Sequence, residues 1–194
     1  SKLYADDLKL YTTTETIHDS QQLQYCLDSL HQWSQDWQLT ISIKKCQTIQ
    51  IGSQALLSKR PREQSAPEYR IGDDFIPNVD SLIDLGVTMD RNIKFSEHIS
   101  NVVRKAAARC YLIRKCFVSK HTATLVRAFK IYVRPLLEYN SPVWSPHLLK
   151  DIIMIEKVQR RFTKYMKGLF NMPYNDRLKI LNLERLEARR IKAD

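Results

Sequence analysis

Apolar and polar positions alternate along Ser1 to Tyr11 on both sides of Asp6-Asp7. This is the period-two pattern of two short strands joined by a tight turn. A hairpin with Asp6 and Asp7 at its tip is therefore expected. Neighbouring side chains on a regular strand point to opposite faces, so adjacent carboxylates converge only where a turn breaks the alternation. The pattern then changes to helical spacing: Leu23, Cys26, Leu27, Leu30, Trp33 and Trp37 fall on one stripe. That stripe predicts an amphipathic helix capped by Asp19 or Ser20, lying across the sheet that carries the hairpin, with both tryptophans as packing residues. Leu39, Ile41 and Ile43 alternate with Thr40, Ser42 and Lys44, which predicts a further strand or strand pair. Residues 52–67 are polar with two prolines and read as a mobile loop containing the basic run Lys59-Arg60-Pro61-Arg62. Tyr69 to Ile71 and Phe75 to Ile76 flank Gly72-Asp73-Asp74, a second hairpin signal, and Leu82 to Met89 reads as one strand.

Beyond residues 90–95 strands give way to helices. From Ser96, the expected cap, Ile99, Val102, Val103, Ala106, Cys110, Ile113 and Phe117 share one helical face, with Arg104, Lys105, Arg109, Arg114 and Lys115 around the rest. A helix capped by Thr122 runs toward Pro135, which kinks or ends it. Another helix is expected over about Leu148 to Leu169. There Ile152, Ile155, Val158, Phe162 and Met166 form the apolar face, and Lys157, Arg160, Arg161, Lys164 and Lys167 the opposite one. A last helix from Leu178 to Ile191 should leave Arg185, Arg189, Arg190 and Lys192 exposed.

Charge sharpens this division. The chain has 194 residues and a formal net charge of +10. Residues 1–96 hold 10 Lys/Arg against 13 Asp/Glu, whereas residues 97–194 hold 21 against 8. An acidic first half and a strongly basic, helical second half suit a protein that meets cations at one place and phosphate at another. A solvated helix face ordinarily mixes signs, because like charges at i,i+4 repel. The unbroken cationic stripe from Lys157 to Lys167 therefore points to an anionic partner. Cys26, Cys46, Cys110 and Cys116 have no C-x-x-C spacing, which argues against a zinc ribbon or a disulfide framework. No apolar run is long enough for a membrane span and no secretory pattern opens the chain, so an intracellular location, cytoplasm or nucleus, is expected.

The motifs and their order carry a resemblance. Tyr4-Ala5-Asp6-Asp7 resembles the catalytic box of reverse transcriptases. Trp33-Ser34, Trp37-Gln38-Leu39, Lys45-Cys46, Asp84-Leu85-Gly86-Val87, Phe95-Ser96-Glu97-His98-Ile99, Arg134-Pro135-Leu136-Leu137-Glu138-Tyr139 and Val158-Gln159-Arg160-Arg161-Phe162-Thr163 follow in the order seen in non-LTR retrotransposons of the jockey and chicken-repeat type. Gly72-Asp73-Asp74 is a competing carboxylate pair, similar to the box of viral RNA-dependent polymerases. It is set aside as a surface turn, since glycine followed by acidic residues is ordinary turn chemistry.

The resemblance implies an α+β fold in two parts. Residues 1–95 would be the C-terminal part of the polymerase palm, a partial antiparallel sheet with a packed helix. Residues 96–194 would be a basic, thumb-like helical region. It implies RNA-directed DNA polymerase chemistry, with Asp6 and Asp7 as ligands of Mg²⁺ or Mn²⁺ and Tyr4 as a primer-side contact. Lys45 would approach the triphosphate, Lys44 being the alternative. Arg104, Lys105, Lys157, Arg160, Arg161, Lys164 and Lys167 would meet the phosphate backbone. The implied partners are an RNA template, a DNA primer, deoxynucleoside triphosphates and the remainder of a polyprotein. The family's further catalytic aspartate comes from a strand upstream of the box, so this chain by itself is expected to be inactive. A non-catalytic nucleic-acid-binding fragment of a decayed element is the alternative.

Overall fold

The structure, a computed structural model, describes residues 1–14, 16–52 and 67–193. The basic run at residues 59–62 lies outside them. The chain divides into two compact units, Ser1–Leu82 and Ile83–Asp194. The mixed α and β content agrees with expectation. Among the described residues, however, the strands make three separate two-stranded sheets, not one shared sheet.

In the first unit β1 (Lys2–Tyr4) and β2 (Asp7–Lys9) pair antiparallel, with Tyr4 opposite Asp7. Helix α1 (Ile17–Asp36) begins one residue after Thr16, whose hydroxyl accepts from the Asp19 N–H while the Asp19 carboxylate accepts from the Thr16 N–H. Thr16, not Asp19 or Ser20, is thus the cap, and Asp19 is the reciprocal half of a capping box. Helix α1 packs on β3 (Tyr69–Ile71). The Gln24 side-chain amide donates to the Arg70 carbonyl at 2.9 Å and accepts from the Arg70 N–H at 3.0 Å, meeting backbone groups that an edge strand leaves open. β3 pairs with β4 (Asp74–Ile76) around Gly72-Asp73. Gly72 has φ +60° and its Cα faces the His31 ring so closely that a Cβ would lie 3.0 Å from Nε2. Two constraints therefore select glycine there.

Three expectations for residues 1–90 are corrected. Trp33 and Trp37 are 49% and 68% exposed, and of the apolar stripe only Leu27 is buried. The helix has too few partners to cover its whole apolar face. Residues 39–43 form no strand: the alternation ends in a 3₁₀ turn, Ile43–Lys45, and beyond it Thr48 makes an isolated bridge to Asn78. Finally, Leu82 to Met89 is not one strand. It contains β5 (Ser81–Asp84) and β6 (Val87–Asp90), joined by Leu85-Gly86 with φ of +44° and +83°. Two consecutive positive φ values are the backbone of a tight hairpin turn whose twist matches the strands.

The second unit holds the larger core. Helices α2 (Ser96–Cys116), α3 (Thr122–Tyr132), α4 (Arg134–Glu138), α5 (Ser141–Trp144), α6 (Leu149–Lys164), α7 (Tyr174–Ile180) and α8 (Leu186–Ala193) surround Ile99, Phe129, Leu137, Trp144, Ile155 and Leu186, each at most 1% exposed. Neither expected hydroxyl cap here is one. Phe95 precedes α2 at φ +55°, the Asp90 carboxylate accepts the N–H groups of Asn92, Lys94 and Phe95, and the Ser96 hydroxyl donates to Asp151. Thr122 is the first residue of α3, with His121 at the cap position. The expected last helix is two, because Asn182 takes a left-handed φ of +47° between α7 and α8. This is a common way for asparagine to end a helix.

Candidate active-site turn and nucleic-acid interface

The first unit presents its carboxylates at the β1–β2 turn. Ala5 and Asp6 are the two turn residues and Asp7 opens β2 opposite Tyr4. Ala5 sits at φ +52°. An L-residue pays of order 1–2 kcal/mol to enter the left-handed region, and backbone strain of this kind concentrates where a turn must hold side chains in a fixed presentation. Asp6 and Asp7 are both exposed, and among the described residues their side chains have no hydrogen-bond or ion-pair partner. Two adjacent, solvated carboxylates form a hard-oxygen donor set that suits Mg²⁺ or Mn²⁺, which keeps waters in its remaining positions. Among the described residues no group of three or more His, Cys, Asp or Glu gathers to hold a metal. Tyr4 is 66% exposed beside the turn.

Lys45 closes the 3₁₀ turn, its backbone N–H donating to the Ser42 carbonyl at 2.9 Å, and its exposed side chain has no hydrogen-bonded or charged partner among the described residues. Lys44, its neighbour, lines an open cleft with Ser42, Ile43, Asp74, Phe75 and Pro77. Asp73 and Asp74 lie exposed at the β3–β4 turn, as expected for a surface turn.

In the second unit the cationic stripe faces solvent. Lys157, Arg160, Arg161 and Lys164 are exposed on α6, and among the described residues none of them has an ion-pair partner. The helix ends at Lys164, so Lys167 and the buried Met166 belong to the turn that follows. The stripe is free of acidic residues because α6 turns its carboxylates inward. Asp151, 2% exposed, accepts from the Ser96 hydroxyl at 2.9 Å. Glu156, 8% exposed, accepts from the Tyr174 hydroxyl and, at 3.0 Å, from the Leu186 N–H. Gln159 Nε2 donates to the Tyr174 oxygen and to the Glu184 carbonyl, both at 2.9 Å. Arg177 donates to the Arg160 carbonyl and to Thr163 Oγ1. Burial, followed by the hydrogen bond to Glu156, pushes the Tyr174 phenol well above its ordinary pKa. This network locks α6 to α7 and α8 and fixes which face of α6 is outward.

Arg104 and Lys105 are exposed on α2, with Arg104 donating to Asn101 at 3.3 Å. Two expected surface arginines are not free. Arg190 is buried, at 3% exposed, and Arg189 forms a two-pronged pair with Glu138 at 2.6 and 3.0 Å. The sequence reading also passed over Tyr165 and Phe170. The signal was present: Tyr165 falls between Lys164 and Lys167 of the basic run, and Phe170 follows three residues beyond it.

A chain with this carboxylate turn and this motif order is similar in sequence to RNA-directed DNA polymerases of mobile elements. The chain is 26% identical over 168 residues to the "RNA-directed DNA polymerase from mobile element jockey" of Drosophila melanogaster, covering 82% of this chain and 18% of that protein. It is 24% identical over 179 residues to the "Probable RNA-directed DNA polymerase from transposon BS" of the same organism, again 18% of that protein's length. It is also 27% identical over 111 residues to the "Uncharacterized protein B0403.1" of Caenorhabditis elegans, covering 56% of each chain. The chain thus spans less than a fifth of the curated polymerases it matches. No family model matches it, and no solved structure does. No described helix is long and apolar enough to cross a membrane.

Proposed function

We propose that the chain is a C-terminal portion of a reverse transcriptase from a non-LTR retrotransposon, residues 1–95 carrying part of the palm and residues 96–194 a thumb-like region. The observation that carries this reading is the β1–β2 turn: Tyr4-Ala5-Asp6-Asp7 sits on a two-residue hairpin that holds both carboxylates in solvent. Asp6 and Asp7 would hold Mg²⁺ or Mn²⁺. Divalent ions, when bound, activate the primer 3′-hydroxyl and neutralise the leaving pyrophosphate. Tyr4 flanks the primer end, and Lys45 offers a compact positive charge to the triphosphate. Lys157, Arg160, Arg161, Lys164 and Lys167, with Arg104 and Lys105, hold the sugar–phosphate backbone of template and primer. Such contacts position the nucleic acid without reading its sequence. The remaining carboxylate that nucleotidyl transfer needs would come from elsewhere in the polyprotein.

The test is primer extension on an RNA template by the polymerase that contains this chain. Asp6→Asn and Asp7→Asn should each lower the rate by at least about two to three orders of magnitude, the scale seen when a group stabilising transition-state charge is removed. Extension equal to the parent's would refute the assignment. A second reading, a non-catalytic nucleic-acid-binding fragment of a decayed element, is favoured by the exposed cationic stripe of α6, which can meet phosphate without any contribution from the carboxylate turn. In that case both aspartate variants bind template–primer like the parent and neither they nor the parent extends it.

A further inference from the structure

We propose that Tyr165 and Phe170 form a base-stacking platform for single-stranded nucleic acid at the C-terminal end of the α6 ridge. The proposal rests on the reading that this ridge meets nucleic acid, and it specifies which form.

Both rings lie in the turn after α6 and are open to solvent, Tyr165 at 57% and Phe170 at 59% exposed. Each already has a cation against it. The Arg114 guanidinium carbon lies 3.7 Å from the Tyr165 ring centroid, and Lys164 Nζ lies 4.5 Å from that of Phe170. Tyr174 shows what the same pairing looks like when it is structural. Arg160 and Arg177 approach its ring at 4.8 and 5.3 Å, but the residue is 8% exposed and its hydroxyl is engaged with Glu156 and Gln159. Tyr165 and Phe170 have no such enclosure.

A single exposed aromatic residue is ordinary. Two within six residues, each paired with a cation at the end of a helix face cleared of carboxylates, match the composition of sites that bind single strands: charge tracks the backbone while rings stack on bases. A base has a free π-face only when it is out of a duplex, so stacking selects single strands where phosphate contacts do not. Arg114 and Lys164 are placed to neutralise phosphates on either side of a stacked base. Arg114 comes from α2, so the platform joins two helices of the unit.

The test is fluorescence anisotropy of the chain with a short labelled pyrimidine DNA, the same sequence as RNA, the corresponding duplex, and an abasic backbone of equal length. Tyr165→Leu and Phe170→Leu keep bulk and remove the π-face. Each should weaken single-strand binding by roughly tenfold, leaving duplex and abasic binding within about twofold, and the DNA and RNA arms show which strand the platform serves. Leucine variants that bind single strands like the parent, or that lose duplex and abasic binding equally, overturn the platform. Lys157→Glu with Arg161→Glu should weaken every ligand and flatten the salt dependence by about 0.7–0.9 log units per lost contact. If that variant matches the parent, the ridge reading itself fails and the platform with it. If the ridge variant behaves as expected while the leucine variants do not, the platform alone is wrong.

Discussion

The two units differ in how they hold themselves together. Among the described residues the second buries twenty-three apolar side chains in one cluster, while the first buries four: Leu27, Tyr69, Ile71 and Ile76. The first leaves Leu3, Tyr4, Tyr11, Tyr25, Trp33, Trp37 and Phe75 about half exposed or more. The carboxylate turn is thus carried by the thinly packed unit and the cationic face by the densely packed one. A pair of carboxylates can sit on a short hairpin, because both come from one turn. A cationic helix face stays outward only where the helix's rotation is fixed, and the Glu156, Gln159 and Arg177 network supplies that.

Core truncation should break this contrast most sharply. Phe129 is fully buried, packed on Phe162 at 4.9 Å between ring centroids. Phe129→Ala should cost the second unit about 3–5 kcal/mol, read as a lower urea midpoint in the fluorescence of the buried Trp144. Leu27→Ala, in the first unit, should cost about 2 kcal/mol, the low end for Leu→Ala, because its sparse surroundings can collapse. Hydrogen exchange of the β3–β4 amides would report it, and equal losses would erase the distinction.

An intermediate effect comes from pH. His98 is 4% exposed, its Nδ1 accepts from the Thr88 N–H at 3.2 Å, and its ring meets Trp144 edge-on. Burial first, and then the charge of Lys105, lowers its pKa below the ordinary 6.5. In the window below 6.5 the unfolded chain binds more protons than the folded one, so stability rises with pH and is lost as pH falls through that window. The second unit should have a lower urea midpoint at pH 5.5 than at pH 8, and His98→Gln should flatten the difference. A midpoint higher at pH 5.5 would reverse the assignment.

The smallest effect is local. Ala5→Gly relieves the left-handed strain at the carboxylate turn and should stabilise the hairpin by up to about 1 kcal/mol, seen as slower amide exchange in β1 and β2. Faster exchange would mean that glycine's flexibility outweighs the strain.

Much of this was legible in the residues, for local reasons. The hairpins at Asp6 and Gly72 announce themselves by alternation plus turn chemistry, and the apolar face of α2 by its spacing. The Leu85-Gly86 turn was overlooked although Asp84 and Gly86 break the apolar run there, because Leu85 between them is not a turn-forming residue. Trp33 and Trp37 continue a helical stripe, but periodicity shows which residues share a face, not whether anything covers it. The inward carboxylates were invisible for another reason: Asp151 meets Ser96, and Glu156 meets Leu186, across 55 and 30 residues of sequence. The stripe of cations was readable; its cause, the burial of the acids beside it, was not. Arg190 looked like a surface arginine for the same lack of long-range information.

The turn at Asp6 and Asp7 can be examined in the chain itself, with Asp73 and Asp74 on the second hairpin as an internal control. Sub-stoichiometric Mn²⁺ added to isotope-labelled protein should broaden the amide resonances of residues 4–9 before those of residues 72–75, and Asp6→Asn with Asp7→Asn should abolish the preference. Equal broadening at both turns, or none at the first, would contradict the assignment of the metal to Asp6 and Asp7.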